Sequence, residues 1–400
     1  MYIMEKIAII TSAVLPVPAI KGGAVETLIT QLVESNEKDP KFQFDIYTMP
    51  CEGLDAYQYH YSRVCQVQGN VIDLYTTKVL NKLEQFRRKG TTSFYDVTLL
   101  RRLFHGNYDY ILVENTAHFY HLAYRLKRYR GKLMFHLHNN VDSARTEDDL
   151  RFIIQTAYRV LGVSNYTCSL LQSIQSGENI KTLYNCVDQE KFRNDNIEGR
   201  QRIRERYGLN DKTVFMFSGR LDHVKGFIEL LKAFEIAVER NDKAVLLVAG
   251  GNSPWSNRDA VKTLWDELSG FEETLGNRVI FTGMLPYQEM PDYYAAADVM
   301  VVPSMWEEPF GMIALEAMSC GLPLIISDSG ALPEIVDEEC AIVIKRGEGF
   351  VEELARTILW LAKDLEKRES MCKASLNRIE QVDEFDAVNY IHFFKESGIE

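Results

Sequence analysis

The chain has 400 residues, 46% of them hydrophobic and 26% charged, an ordinary globular composition and enough length for two domains of roughly 200 residues each. A formal net charge of −12 argues against nucleic acid as the main partner, because binding a phosphate backbone needs a surplus of Lys and Arg. Seven scattered cysteines (Cys51, Cys65, Cys168, Cys186, Cys320, Cys340, Cys372) contain no Cys-x-x-Cys pair, so neither a disulfide framework nor a zinc site is indicated and a reducing cytoplasm fits best.

In chain order, the first apolar, β-branched run is Lys6 to Ile10. Glu5, Pro16 and Pro18 interrupt the pattern of a secretory signal, and the segment leads through a Gly-Gly turn into an amphipathic helix, as a first buried strand would. Similar runs follow at Phe44 to Met49, Tyr110 to Glu114, Lys132 to His138 and Arg159 to Val163, separated by helical patterns. The series restarts at Thr213 to Ser218, Ala244 to Ala249, Arg278 to Thr282, Asp298 to Val302, Pro323 to Ile326 and Ala341 to Ile344. Strands alternating with helices predict parallel sheets, and the restart predicts two Rossmann-like, doubly wound α/β domains, residues 1–190 and 195–380. The polar segment from Gln189 to Glu205 is the expected linker and hinge. The aromatic, helical segment at 384–400 is expected to pack back on the first domain. No stretch approaches the ~20 apolar residues of a membrane span.

Ligands of open parallel sheets bind at the carboxyl ends of the strands, so motifs there carry the most weight. In FSGRLDHVKGF a strand ends, and Arg220 and Lys225 stand before a helix. Two cations at a helix N-terminus suit a pyrophosphate, although alone they read as surface cations. In WEEPFGMIALEAMSCG, Glu308 precedes a helix and Glu316 lies two turns inside it. Two such carboxylates suit the vicinal hydroxyls of a sugar and a ribose, while alone they read as a dipole partner and a solvated helix residue. His138 ends a strand, with His136 two residues back on the same face as its rival.

Together these motifs resemble the family-four retaining glycosyltransferases, the glycosyl transferases group 1, in which two Rossmann-like domains face across a cleft in the B-type glycosyltransferase fold. The marks are KGGAVE, FHLHNN, GVSNYT, LYNCVD, SGRLDHVKG, FTGMLPYQEMPDYYAAADVMVVPS and EEPFGMIALEAMSCGLPLI, in the family's order from residue 21 to beyond 330. The resemblance implies that Arg220 and Lys225 hold the donor diphosphate and Glu316 the ribose. Glu308, with the backbone of Phe310 and Gly311, would hold the transferred sugar. Gly219 and Met312 join the implied donor set, Gly283 and Met284 would lie along the base, and Gly22 and Gly23 would let backbone approach the phosphate and acceptor. His138 matches the family histidine at the donor sugar. Cys186 departs from the family, which usually has glycine there, and puts that turn's geometry in doubt.

The chain has no Asp-x-Asp pair and no His/Cys cluster, so neither a metal nor another cofactor is expected, and Arg220, Lys225 and the helix end would balance the leaving diphosphate. The expected activity is retaining transfer from a nucleotide-sugar, a UDP-sugar by preference, to a saccharide or lipid-linked saccharide, in cell-surface polysaccharide or glycoconjugate synthesis. A non-hydrolysing sugar-nucleotide epimerase and a catalytically silent homologue are the rival readings. A dehydrogenase is disfavoured because no Gly-x-Gly-x-x-Gly follows a strand.

One charge asymmetry stands apart. From Tyr75 to Phe104, Lys78, Lys82, Arg87, Arg88, Lys89, Arg101 and Arg102 face only Glu84 and Asp96, and are interleaved with Val79, Leu80, Leu83, Phe86, Phe94, Leu99, Leu100, Leu103 and Phe104. RLKRYRGK at 125–132 adds five more cations. The pattern fits either amphipathic helices on an anionic membrane surface, at the inner face of the membrane, or solvated helices beside the acceptor.

Overall fold

The computed structural model describes residues 4–12, 14–70, 73–78, 93–140, 146–241, 243–251, 263 and 266–397. The chain divides into two compact units, Met1–Asn185 with Ala387–Glu400, and Cys186–Asp386.

In the first unit seven strands form one parallel sheet: β1 (Glu5–Ile10), β2 (Phe42–Thr48), β3 (Ser62–Gln66), β4 (Tyr110–Glu114), β5 (Leu133–Leu137), β6 (Arg159–Gly162) and β7 (Ile180–Thr182). Their order is β3-β2-β1-β4-β5-β6-β7, so the direction of winding reverses between β1 and β4. Ile7 lies opposite Phe44 of β2 and Tyr110 of β4, and Ile7 to Ile10 are enclosed on both faces, as a central parallel strand requires. Two helices of this unit, Phe94–His105 and Glu147–Thr156, open with capping boxes, Ser93 with Asp96 and Thr146 with Asp149. The last helix, Tyr390–Glu396, belongs here because Phe394 packs edge-on to Phe42 and Phe44, and Ile391 N donates to Ser35 Oγ at 3.1 Å.

The second unit has six parallel strands: β8 (Thr213–Ser218), β9 (Ala244–Ala249), β10 (Val279–Gly283), β11 (Val299–Val302), β12 (Leu324–Ser327) and β13 (Ala341–Ile344). Their order, β10-β9-β8-β11-β12-β13, is that of a Rossmann sheet reversing between β8 and β11. Phe215, Phe217, Phe227 and Phe234 centre its core, each burial contributing about 2 kcal/mol. The segment from Gln189 to Glu205 is not a bare linker. Most of it lies in this unit's helix Ile197–Tyr207, whose buried Arg204 donates to the carbonyls of Ala296, Leu209 and Lys212. Val187 N donates to Phe385 O at 2.8 Å, tying the two ends of the unit together.

Of the basic segment, residues 79–92 lie outside the described residues, and with them Val79, Leu80, Lys82, Leu83, Glu84, Phe86, Arg87, Arg88 and Lys89. The rest is partly enclosed. Leu99 and Leu103 are in the core, and Arg101 is bound to buried Asp73 at 2.8 Å, while Phe104 is exposed. Among the described residues no helix is long and apolar enough to cross a membrane.

Candidate functional site

At the reversal point of the second sheet, the loop after β8 holds Gly219, Arg220 and Lys225 and opens the helix Phe227–Val238. Asp222 Oδ1 accepts from Lys225 N at 3.0 Å and shapes the turn. Gly226 has φ +68°, and a Cβ there would come within 1.9 Å of Pro303 O, so glycine lets this loop meet the one after β11. Met305 N bonds Val224 O across that meeting at 2.9 Å.

The consequence is a pair that the motifs do not reveal when read singly: Lys225 Nζ is 2.6 Å from Glu308 Oε1. Ser304 Oγ donates to the same oxygen, and Glu308 N donates to Ser329 Oγ at 3.1 Å. The Lys225 ammonium also stands 5.1 Å from the centre of the Trp306 ring. Arg220 differs. Its side chain is half exposed and its nearest carboxylate, Asp222, is 3.5 Å away.

Glu316 lies one turn, rather than two, inside the helix Met312–Ser319, whose N-cap Gly311 sits at φ +118°. Tyr294 donates to its Oε2 at 2.7 Å and Tyr287 to its Oε1 at 3.2 Å. Burial pushes the Glu316 carboxyl up to about 7, against the pull of the two phenols and of Lys191. Lys191 itself lies over the Tyr287 ring at 3.8 Å. The Phe310 side chain is buried against Phe385, so only its backbone suits a ligand. Gly283, at φ +76°, accepts from Gly250 N at 3.1 Å, and Met284 beside it is 70% exposed. Two cavities in this unit, of about 670 and 280 Å³, contain none of these residues apart from neighbouring Phe281.

At the reversal point of the first sheet, Gly22 and Gly23 take φ +74° and +103° before the helix Ala24–Lys38. His138 follows β5, and its Nε2 is 2.6 Å from Glu114 Oε2. His136 Nδ1 is 3.2 Å from the same oxygen, so both histidines share one carboxylate. Burial alone would raise the Glu114 carboxyl, but the imidazoles hold it at about 2. The expectation of no His/Cys cluster thus needs correction: the fold assembles Glu114, His136 and His138 with donor atoms within 4.8 Å of one another. Both imidazoles are already engaged with the Glu114 carboxylate, at 2.6 Å from His138 and 3.2 Å from His136.

Asn115 beside them has φ +58°, the one non-glycine residue at positive φ among the described residues, and such strain concentrates at functional sites. Cys186 therefore fills the family's glycine position without strain. Glu114, Asn115, Ser304, Tyr287 and Tyr294 were missed in the sequence. The available signal was an acidic residue ending the apolar strand YILVE beside a His-x-His strand.

Residues 199–378 match the family model for glycosyl transferases group 1. YtcC of Bacillus subtilis, a provisionally assigned glycosyltransferase, is 24% identical over 388 residues, covering 95% of this chain and 89% of that protein. Among solved structures, Anabaena HepE in complex with UDP-glucose superposes with a TM-score of 0.76 at 21% identity, covering 98% of this chain and 99% of that one. Sucrose-phosphate synthase from Thermosynechococcus elongatus has a TM-score of 0.76 at 20% identity, covering 98% of each. At these identities the likeness establishes the fold, the B-type glycosyltransferase architecture of two parallel-sheet α/β domains.

Proposed function

From the premise that this chain is a glycosyltransferase of group 1, we propose that it transfers a sugar from a UDP-sugar, with retention and without a metal, to a saccharide or lipid-linked saccharide acceptor. The observation that carries the reading is the Lys225–Glu308 pair, held with Ser304 at the reversal point of the second sheet. An ammonium there balances a leaving diphosphate, and a carboxylate with unused lone pairs accepts from sugar hydroxyls. Arg220, half exposed, adds a guanidinium able to grip two phosphate oxygens.

Gly219 and Gly283 let backbone approach the donor, and exposed Met284 offers an apolar face to the base. Glu316, already accepting from two phenols, is suited to the ribose hydroxyls. Met312 and the backbone of Phe310 and Gly311 complete the donor set, and in the first unit the family resemblance gives the donor sugar His138 and the phosphate the Gly22-Gly23 backbone. In the reaction the bond from the anomeric carbon to the diphosphate breaks and a bond to the acceptor oxygen forms on the same face. The acceptor's proton passes to the departing phosphate. No protein nucleophile is needed.

HepE binds UDP-glucose, which supports uracil over other bases. The test is a thermal-shift screen with UDP, GDP, dTDP and CMP, where a ligand at 100 times its dissociation constant adds about 2.7 kcal/mol of stability. UDP should give the largest shift. A larger shift with another nucleotide would replace the base, and no shift with any would overturn the donor assignment.

A further inference from the structure

Glu114 is a buried carboxylate that none of the motifs contains, and it touches the one histidine the resemblance places at the donor sugar. An ionised carboxylate only accepts hydrogen bonds, so both ring nitrogens that reach Glu114 Oε2 must carry hydrogen. These are Nε2 of His138 at 2.6 Å and Nδ1 of His136 at 3.2 Å. In a neutral imidazole the other nitrogen is then the acceptor: Nδ1 of His138 and Nε2 of His136. Turning the His138 ring over, or moving its proton, would exchange the two roles. The bond to Glu114 opposes both changes.

The surroundings make this bond directional. Glu114 lies opposite His136 in the β4–β5 register, so alternation along β5 brings His138 to the same face. Asn115 fixes the end of β5 from the adjacent position, its N donating to His136 O at 2.9 Å and its Oδ1 accepting from His138 N at 3.4 Å. Among the described residues another carboxylate that feels Glu114 is Glu26, in the first turn of the helix Ala24–Lys38, with Ser12 Oγ at 3.4 Å. Burial first, and then the charge of Glu114, disfavour its ionisation, which leaves Glu114 as the ionised partner of the histidines.

We infer that Glu114 is a positioning residue: it fixes the ring orientation and tautomer of His138 so that Nδ1 is the acceptor nitrogen, the form that takes a hydrogen bond from a hydroxyl of the transferred sugar. This rests on the reading of His138 as a donor-sugar contact. Carboxylates that orient a metal-bound histidine are typically worth 10- to 100-fold in affinity or activity, and a loss toward the lower end of that scale is expected for a histidine that holds a sugar.

The test uses the full chain with UDP-glucose as probe and reads UDP release, UDP affinity and nitrogen-15 NMR of the histidines. Glu114→Gln should lower kcat by roughly tenfold or more while the Kd for UDP stays within about twofold. The spectrum should show His138 protonated at Nε2 in the wild type and a loss of that preference in the variant. Glu114→Asp, which keeps the charge, should recover the tautomer and part of kcat, and serves as the second variant should the Gln form not fold. Because Glu114 acts through His138, the double variant with His138→Ala should be no slower than His138→Ala alone.

A wild-type kcat in Glu114→Gln would overturn the inference, as would losses that multiply in the double variant. So would a stoichiometric metal ion in the wild type that Glu114→Gln releases, since the cluster would then be a ligand set. Wild-type kcat in His138→Ala would instead overturn the His138 reading itself, whereas Lys225→Ala tests the donor site of the second unit alone.

Discussion

Glu114 in the first unit and Glu316 in the second are both enclosed carboxylates at the carboxyl edge of a parallel sheet, and burial alone would drive both toward the neutral form. They end far apart. Glu114 faces two imidazoles, which can carry a proton and hence a charge, and is held at about 2. Glu316 faces two phenols, which lend only dipoles, and rises to about 7. The neighbours, rather than the depth of burial, decide which carboxyl is ionised. The signs of their contributions to stability are therefore opposite: that of Glu114 is present above 4.5 and lost as pH falls through about 2, and that of Glu316 is present below 4.5 and lost as pH rises through about 7.

Glu308 is a third case, balanced by a full ammonium, and removing that cation should produce the largest effect. Lys225→Ala is expected to lower turnover of UDP-glucose roughly 100-fold or more. It should also cost about 3 kcal/mol in urea melts, because Glu308 stays buried without its partner. Arg220→Ala should lose a similar factor in turnover with almost no change in stability, since its guanidinium is half exposed. Variants that keep more than about half of wild-type turnover would remove the phosphate assignment.

The contrast between the two enclosed glutamates sharpens with pH. Glu316→Gln abolishes the titration, so its stability relative to wild type should improve by about 3 kcal/mol between pH 4.5 and pH 8. Urea midpoints measured across that window check this, and parallel profiles for the two proteins would contradict it. A smaller effect follows from taking one dipole away. Tyr294→Phe should cost about 1 kcal/mol and weaken UDP binding by calorimetry, with Tyr287→Phe milder because its bond is longer. Equal affinities in all three proteins would detach the phenols from ribose recognition.

The smallest expected effect concerns the acceptor. If the acceptor is lipid-linked, each cation of the basic segment near an anionic surface contributes about 1 kcal/mol that salt screens. Wild type should then pellet weakly with anionic vesicles at low salt, and the variant with Arg87, Arg88 and Lys89 changed to Glu should not. Negligible pelleting of both would favour a water-soluble saccharide, in keeping with the burial of Leu99 and Leu103.

Strands with buried faces were legible because Val, Ile and Leu runs such as AVLLVA can only be central strands. The edge strands β3 (SRVCQ) and β7 (IKT) were not, being short and half polar. The polarity of the helix Ile197–Tyr207 disguised it as a linker, since its buried contacts are made by Arg204 to carbonyl groups. Arg220, Lys225, Glu308 and Glu316 were legible through motif spacing. Their partners were not: Ser304 reaches Glu308 from the end of β11, and Tyr287 and Tyr294 reach Glu316 across more than twenty positions of sequence. Only the fold brings those groups together.

The most direct test of the central claim is proton NMR of the first-formed product from UDP-glucose, with EDTA present throughout. The donor's anomeric configuration should be kept and the rate should be unchanged by EDTA, as expected if Lys225 and Arg220 balance the diphosphate. Clean inversion, or complete loss of activity restored by added Mg²⁺ or Mn²⁺, would contradict it.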